Sequence, residues 1–252
     1  MKKDFSEKEL NEREHFDKVA QKYDYNYSYL NTFTKYKISK KSVVLKNFVR
    51  KYLTKKDIKL LEIGCGTGEY TKKVAEKLPQ ADISALDISK NIVQLAKKKC
   101  KGCKNVSFKV GSAYNTGYKD SSFDVIFGFY VLHHLEIPKF RKEMDRVLKP
   151  GGIIFFYEPN ILNPIVFLIK SNKILKRMVG DSPYEWAINP LKIREYFPSL
   201  KIEEIFQSEF VWPMSFISTG VLKFLDRATS SLSYVPIIKY LGGSVAVLAR
   251  KI

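Results

Sequence analysis

Three glycines, a few carboxylates and two adjacent histidines are the residues best placed to do chemistry. Gly64, Gly66 and Gly68 lie in LLEIGCGTGEYT, Leu60 to Thr71, between a short apolar run and the first turn of a helix. A strand, glycine turn and helix of this kind lets backbone N–H groups approach a nucleotide-like ligand, although such a turn can also be purely structural. The flanking charges narrow the choice. A dinucleotide fingerprint has glycine at its sixth position; here that residue is Glu69, and Glu62 stands two residues before the turn. Both carboxylates disfavour a pyrophosphate, while Glu69 suits the positive end of its own helix. No Gly-Lys-Ser or Gly-Lys-Thr follows, which excludes a P-loop. Asp87 ends the next apolar run in ALDIS, 87 − 68 = 19 residues beyond Gly68, where an acid bonds both hydroxyls of a ribose. The pattern fits a cofactor that carries adenosine and positive groups but no phosphate. S-adenosylmethionine, with a sulfonium and an amino group against one carboxylate, has that character.

The histidines are His15, His133 and His134. His134 ends YVLHHL, beyond the fourth apolar run, and is the candidate general base, because an imidazole titrates near neutrality. The alternative is that it caps or packs the following helix. Neighbouring side chains diverge on a helix or a strand, so His133 and His134 together predict no metal site. Cys100 and Cys103 form one CxxC without a second pair, and with Cys65 they are too few for a disulfide scaffold. Glu158 ends a further apolar run and either orients a substrate or is a hydrogen-bonded loop acid. Phe16 and Tyr23, seven apart, share a helical face; they read as an aromatic lid over the cofactor, with Tyr23 near the substrate, or as a face packed on the sheet.

The frame around these residues alternates. Short apolar runs at Ile58–Ile63, Asp82–Leu86, Val106–Val110, Phe123–Gly128 and Ile153–Tyr157 are separated by helical segments at Tyr70–Leu78, Ser89–Cys100 and Ile137–Leu148. That order predicts a parallel sheet covered on both faces, with ligands beyond the carboxyl ends of its strands. Lys201–Phe210 and Ser244–Arg250 lack a crossover and predict an antiparallel edge pair. Residues 5–24 and about 34–53 read as helices. In 252 residues, 45% hydrophobic, there is enough apolar material for a sizeable core. The balance of 44 − 26 = +18 favours anionic partners, unless it is only a lysine-rich solvated surface. The N-terminus has no apolar signal core and no run reaches the roughly 18 apolar residues of a spanning helix, so a reduced, cytoplasmic setting is expected.

Taken together, LEIGCGTGEYT, ALDIS, VGSAYNTGYKDSSFDVIFGFYVLHHL and RVLKPGGIIFFYEPN, in that order, resemble class I S-adenosylmethionine-dependent methyltransferases of the ubiquinone and menaquinone methyltransferase-like group; HFDKVAQKYD is also similar. The resemblance covers about residues 58–160. It implies a Rossmann-like, doubly wound α/β fold with a seven-stranded, mostly parallel sheet, and a single domain over 1–252. Within it, 1–36 would be an N-terminal helical lid, 37–159 the cofactor core, 160–196 a helical insert, and 197–252 the last strands with a second insert at 213–243. It implies that Glu62, Gly64, Gly66 and Gly68 frame the methionine part, Asp87 holds the ribose, Ile88 lies against the adenine, Ser112 and Ala113 edge it, and Phe129 borders the methyl. Ser112 stands where the family often has Asp.

The acceptor is less constrained. After the fourth run the chain reads GFYVLHH, not the acid or amide, two prolines and aromatic residue of nucleobase amino-methyltransferases, and no Pro-Cys nucleophile is present. ILNPIVFLIKSNKILKRMVG sets apolar residues beside Lys170, Lys173, Lys176 and Arg177, which suits a membrane interface or an acyl or prenyl pocket, or else a plain helical cap. The expectation is methyl transfer to a small or lipid-linked, partly apolar acceptor at oxygen or carbon, in the cytoplasm and peripherally at an anionic membrane surface. An RNA methyltransferase using the basic surface, or a non-catalytic binding module, are the rivals.

Overall fold

The computed structural model describes residues 5–26, 29–55, 57–179, 181–182, 185–211 and 217–252. Seven strands follow the apolar runs: β1 (Lys59–Ile63), β2 (Asp82–Asp87), β3 (Val106–Val110), β4 (Phe123–Phe129), β5 (Leu148–Pro159), β6 (Leu200–Ser208) and β7 (Ser244–Lys251). Their order in one sheet is β3-β2-β1-β4-β5-β7-β6. The first five are parallel; β7 runs antiparallel between β5 and β6. The fold class is as expected. β4 is buried along its whole length and β1 in four of five residues, as unbroken apolar runs require of central strands. The chain winds outward from β1 to β3, then crosses back to β4. The carboxyl ends of β1 and β4 therefore flank the switch in strand order, where such sheets open a crevice.

The helices are α1 (Glu7–Val19), α2 (Tyr23–Asn26), α3 (Thr32–Tyr52), α4 (Glu69–Lys77), α5 (Lys90–Lys99), α6 (Ile137–Val147), α7 (Pro164–Ser171), α8 (Lys173–Val179), α9 (Ile193–Tyr196) and α10 (Thr219–Ala228). Ile38, Leu45 and Val49 of α3 and Val74 of α4 pack one face of the sheet; Phe140 and Met144 of α6 with Ile193 and Phe197 pack the other. The single helix expected at 5–24 is broken by a 3₁₀ turn at Ala20–Lys22. The strand expected at Ile153 begins at Leu148, and Lys149-Pro150-Gly151-Gly152 form an irregularity within it: Gly151 stands at φ 71° and the register with β4 shifts from Phe123–Leu148 to Val125–Ile153. The inserts are short helices and turns, including 3₁₀ turns at Thr229–Tyr234 and Ile238–Leu241; residues 212–216 of the second lie outside the described residues.

α1 starts with a capping box: Ser6 Oγ accepts from Glu9 N–H, and Glu9 Oε2 accepts from Ser6 N–H at 2.9 Å. Asp17, near its end, accepts from Ser89 Oγ at 2.5 Å and Asn91 N–H at 3.2 Å, joining the N-terminal segment to the start of α5. Ser89 itself caps α5, as expected, by accepting from Ile92 N–H at 3.1 Å.

In the wall of the crevice lies a largely buried charge cluster that no motif announced. Glu209 Oε1 is 2.8 Å from both Lys37 Nζ and Lys41 Nζ, and Oε2 accepts from Tyr130 Oη at 2.6 Å. Burial pushes the Lys41 ammonium down to about 8, against the opposing pull of Glu209. Burial also raises the Glu209 carboxyl, but the two lysines overcome this and hold it well below the usual range. Removing the one acid strands two buried cations. Glu209→Ala is therefore expected to destabilise the fold by about 3–5 kcal/mol, read as a lowered urea midpoint at unchanged slope. A midpoint within error of the parent would remove the cluster from the stability account.

Candidate active site

The glycine turn leaves β1 with Gly64, Gly66 and Gly68 at φ 67°, 52° and 86°, in the left-handed region. At Gly64 a Cβ would stand 2.4 Å from Cγ2 of Val131, so only glycine lets the turn pass the chain leaving β4. Asp87, at the end of β2, accepts from Gly66 N–H at 2.9 Å and Ser89 N–H at 3.0 Å. One carboxylate thus ties the turn to the start of α5. Burial raises the Asp87 carboxyl; the Ser89 and Gly66 N–H groups and the neighbouring His134 pull it part of the way back.

Glu62 is buried on β1, and its Oε2 has no hydrogen-bond partner. Burial pushes it up to about 8 against the pull of Thr71, whose hydroxyl lies nearby without a formed bond, and Asp87 adds to the rise. Glu69 behaves differently from its sequence reading. Lys99 Nζ is 2.7 Å from Glu69 Oε1, 2.5 Å from Asp24 Oδ2 and 3.1 Å from Thr67 Oγ1. Its charge is spent on a bridge between α4, α5 and the lid, which removes Glu69 from the argument against a pyrophosphate.

At the nucleoside end, Ile88, Gly111 and Ala113 line a cavity of about 450 Å³ that extends from the glycine turn to α7. Ser112 is turned away from it. Its hydroxyl donates to Glu9 Oε1 and accepts from Tyr114 N–H at 2.9 Å, and Glu9 takes its place on the cavity wall. Phe129 lines the opposite end, stacked on Tyr70 with centroids 4.1 Å apart. Phe16 and Tyr23 line the cavity from the lid side, and the Phe16 ring meets His134 edge-on at 5.3 Å.

Below the lid, the chain after β4 makes a 3₁₀ turn, Leu132–His134. His133 and His134 do not diverge there: their ring centroids are 4.2 Å apart, because a 3₁₀ turn is neither of the geometries assumed from sequence. Together with Glu185 they place three potential ligand atoms within 4.8 Å of one another. Each imidazole already has its own carboxylate. His133 Nδ1 bonds Glu158 Oε2 at 2.7 Å, and His134 Nδ1 bonds Glu12 Oε2 at 3.0 Å. Burial alone lowers His133, yet Glu158 and Glu185 outweigh it and push it up to about 9. Burial raises Glu12, but His134 and Ser182 bring it below the usual range, so it is an ionised acceptor. Glu158 is wholly buried, accepting also from Val131 N–H at 3.0 Å and Leu132 N–H at 2.9 Å. The structure gives it to the turn and not to the cavity wall.

Glu9, Glu12, Glu185 and Tyr130 line the cavity without having been singled out in the sequence. Glu9 and Glu12 sit three apart on a charged helix that looks solvated in sequence. Tyr130 carried one usable signal, its position directly after β4, and its φ of 57° turns its side chain under the crevice.

Comparison with known proteins agrees with this geometry. The methyltransferase domain family matches residues 61–156. Demethylmenaquinone methyltransferase of Staphylococcus aureus (strain JH9) is 32% identical over 145 residues, 57% of this chain; the chain spans 58% of that relative's length. An S-adenosylmethionine-dependent methyltransferase structure from Methanosarcina mazei superposes with a TM-score of 0.58 at 19% identity, covering 81% of this chain and 97% of that one. The (4+2)-cyclase SpnF superposes at 0.53 and 20%, covering 82% and 79%. The glycine cradle, the unpartnered Glu62 and the acid ending β2 fit S-adenosylmethionine. Residues 61–156 thus match the methyltransferase domain family and adopt the fold of the solved methyltransferase structures, in a chain similar over 145 residues to a demethylmenaquinone methyltransferase.

Proposed function

We propose that the protein transfers a methyl group from S-adenosylmethionine to a small, partly apolar or lipid-linked acceptor, at oxygen or carbon. The observation that carries this is the composition of one cavity. It joins the glycine cradle at one end to Val166, Ile169 and Val179 at the other, with the His133–His134 turn between them. The apolar wall suits an acyl, prenyl or ring body and the imidazoles suit its reacting polar head.

The cofactor supplies an electrophilic methyl on a sulfonium. The chain's own work is to hold and align. Glu62 accepts from the amino group, Gly64, Gly66 and Gly68 allow close backbone approach, Asp87 takes the ribose hydroxyls, and Ile88 and Ala113 flank the adenine. Glu9 stands where Ser112 was expected to edge that ring. Phe129, braced by Tyr70, borders the methyl end. Phe16 and Tyr23 keep water out, which favours a reaction that disperses charge. Glu12 only accepts, so His134 donates to it from Nδ1, which leaves Nε2 as the ring nitrogen that would take a proton from a hydroxyl or acidic carbon. Tyr23 lies over Gly66 and belongs to the cofactor side more than to the substrate.

The direct test is incubation with methyl-labelled cofactor and separated lipid, metabolite and RNA fractions. Label is expected in the lipid or metabolite fraction; label in RNA alone would overturn the acceptor class. At residue level, Asp87→Ala should weaken cofactor binding by about 1–3 kcal/mol in calorimetry, and an unchanged affinity would remove Asp87 from its role. His134→Ala should lower kcat by about 10²–10⁴-fold on a hydroxyl acceptor at unchanged cofactor affinity. A pH test follows from Glu62. Its raised value means that it is protonated below about 8 in the free protein, and pairing with an ammonium ionises it. Cofactor binding near pH 7 should thus release a proton, seen as buffer-dependent enthalpy, with release fading above that value. Glu62→Gln should abolish this component; equal proton release in parent and variant would refute the assignment.

A further inference from the structure

We infer that α7, α8 and the Ile237–Leu241 turn form one docking face for an anionic lipid bilayer, from which the apolar acceptor enters the cavity. This rests on the acceptor class proposed above. α7, PIVFLIKS, is apolar on nearly all sides. Val166 and Ile169 point inward and line the cavity, whereas Ile165, Phe167 and Leu168 are 53–59% exposed. A helix apolar all round is normally buried on all sides, and this one has cover on one side only. α8 continues the face with Ile174 at 71% and Met178 at 76% exposed. Asn163, the N-cap of α7, donates to Leu241 O, and Asn160 Nδ2 donates to Tyr240 O at 2.9 Å and Gly242 O at 2.8 Å. These bonds hold the second insert beside the first and add Ile237, Ile238 and Leu241 to the exposed apolar surface. Ile237 stands at φ 67°, a backbone state that a β-branched residue rarely adopts, with its side chain 81% exposed.

Charge selects the occupant. From residue 160 to 179 the sequence has Lys170, Lys173, Lys176 and Arg177 and no carboxylate; from 227 to 243 it has Arg227 and Lys239 and no carboxylate. Lys170 is consumed by Asp181 and Glu185, and Lys176 by the Glu185 carbonyl, which leaves Lys173 and Arg177 exposed at the rim. Apolar side chains rimmed by cations, with the nearest acids Asp181 and Glu185 already paired to Lys170, match the acyl boundary and headgroups of an anionic leaflet. A second copy of the face would set like charges against each other. The inner side of α7 is already the cavity wall, so a ligand leaving the leaflet has one helix to pass.

The test is flotation of the full chain with vesicles of phosphatidylcholine alone and of phosphatidylcholine mixed with phosphatidylglycerol, alongside calorimetric cofactor binding. Binding to the anionic vesicles, weakened by salt, is expected. Lys173→Ala and Arg177→Ala should each weaken it about fivefold, the equivalent of about 1 kcal/mol per surface charge. Phe167→Asp and Met178→Asp should weaken it at least about tenfold, with cofactor affinity and thermal midpoint as in the parent. Cofactor binding without vesicle binding would overturn the docking face and leave the methyltransferase reading standing. Vesicle binding without cofactor binding would do the reverse. A concentration-dependent dimer lost in Phe167→Asp, with no vesicle binding, would make the face an interface between copies and overturn the inference.

Discussion

The arrangement depends on one carboxylate between two backbone N–H groups. Asp87 ends β2, yet its oxygens are held by the first glycine turn and by the start of α5, so three elements meet on a single side chain. The clamp works beside a backbone bond, Cys65 N–H to Leu86 O at 3.0 Å, which holds the same turn to the end of β2. The clamp costs free energy, since the acid is buried and its ionised form is disfavoured, and the same cost primes it to accept hydroxyl donors. Gly64 adds the second constraint. Its missing Cβ lets Val131 close over the turn, so the chain after β4, with both histidines, lies against the cradle at contact distance.

Charge in this protein is arranged in two tiers. The surface carries the lysine excess, while the crevice is surrounded by carboxylates that come from distant parts of the chain: Glu9 and Glu12 from α1, Glu62 from β1, Asp87 from β2, Glu158 from β5 and Glu185 from the insert. Most are satisfied by a partner of their own. Glu12 has His134 and Ser182, Glu158 has His133 and two N–H groups, and Glu185 has Lys170. Glu62 is the exception, with one buried oxygen unpartnered. That imbalance, and not the acidity of the site as a whole, distinguishes a place for a cation. The superposition on a cyclase shows that the fold by itself hosts more than one chemistry, so the argument for methyl transfer belongs to such details.

The central strands were legible because each is a short apolar run between helix signals, and β4 has no polar residue after Asp124 to blur it. The motif residues were legible because local backbone chemistry demands them: glycine where φ is positive, an acid at a strand end. What was hidden is side-chain contact across the fold. Sequence shows Ser112 in a motif but not that Glu9, 103 residues away, consumes its hydroxyl. It shows Glu69 next to the glycines but not Lys99 folded over it. It shows two histidines in a row, and a rule for helices and strands sends them apart, whereas the 3₁₀ turn brings their rings together. Glu158 reads either as a substrate-orienting acid or as a hydrogen-bonded loop acid, and only the folded chain bonds it to that turn.

Glu9 has a consequence for α1 as well as for the site. The same carboxylate closes the capping box that starts α1, lines the cavity and accepts from Ser112. Its two oxygens therefore couple the first turn of the outermost helix to the deepest edge of the nucleoside crevice. Displacing Glu9 from Ser112 thus also disturbs the carboxylate that caps α1, so a strain at this end of the cavity is felt at the first turn of the helix.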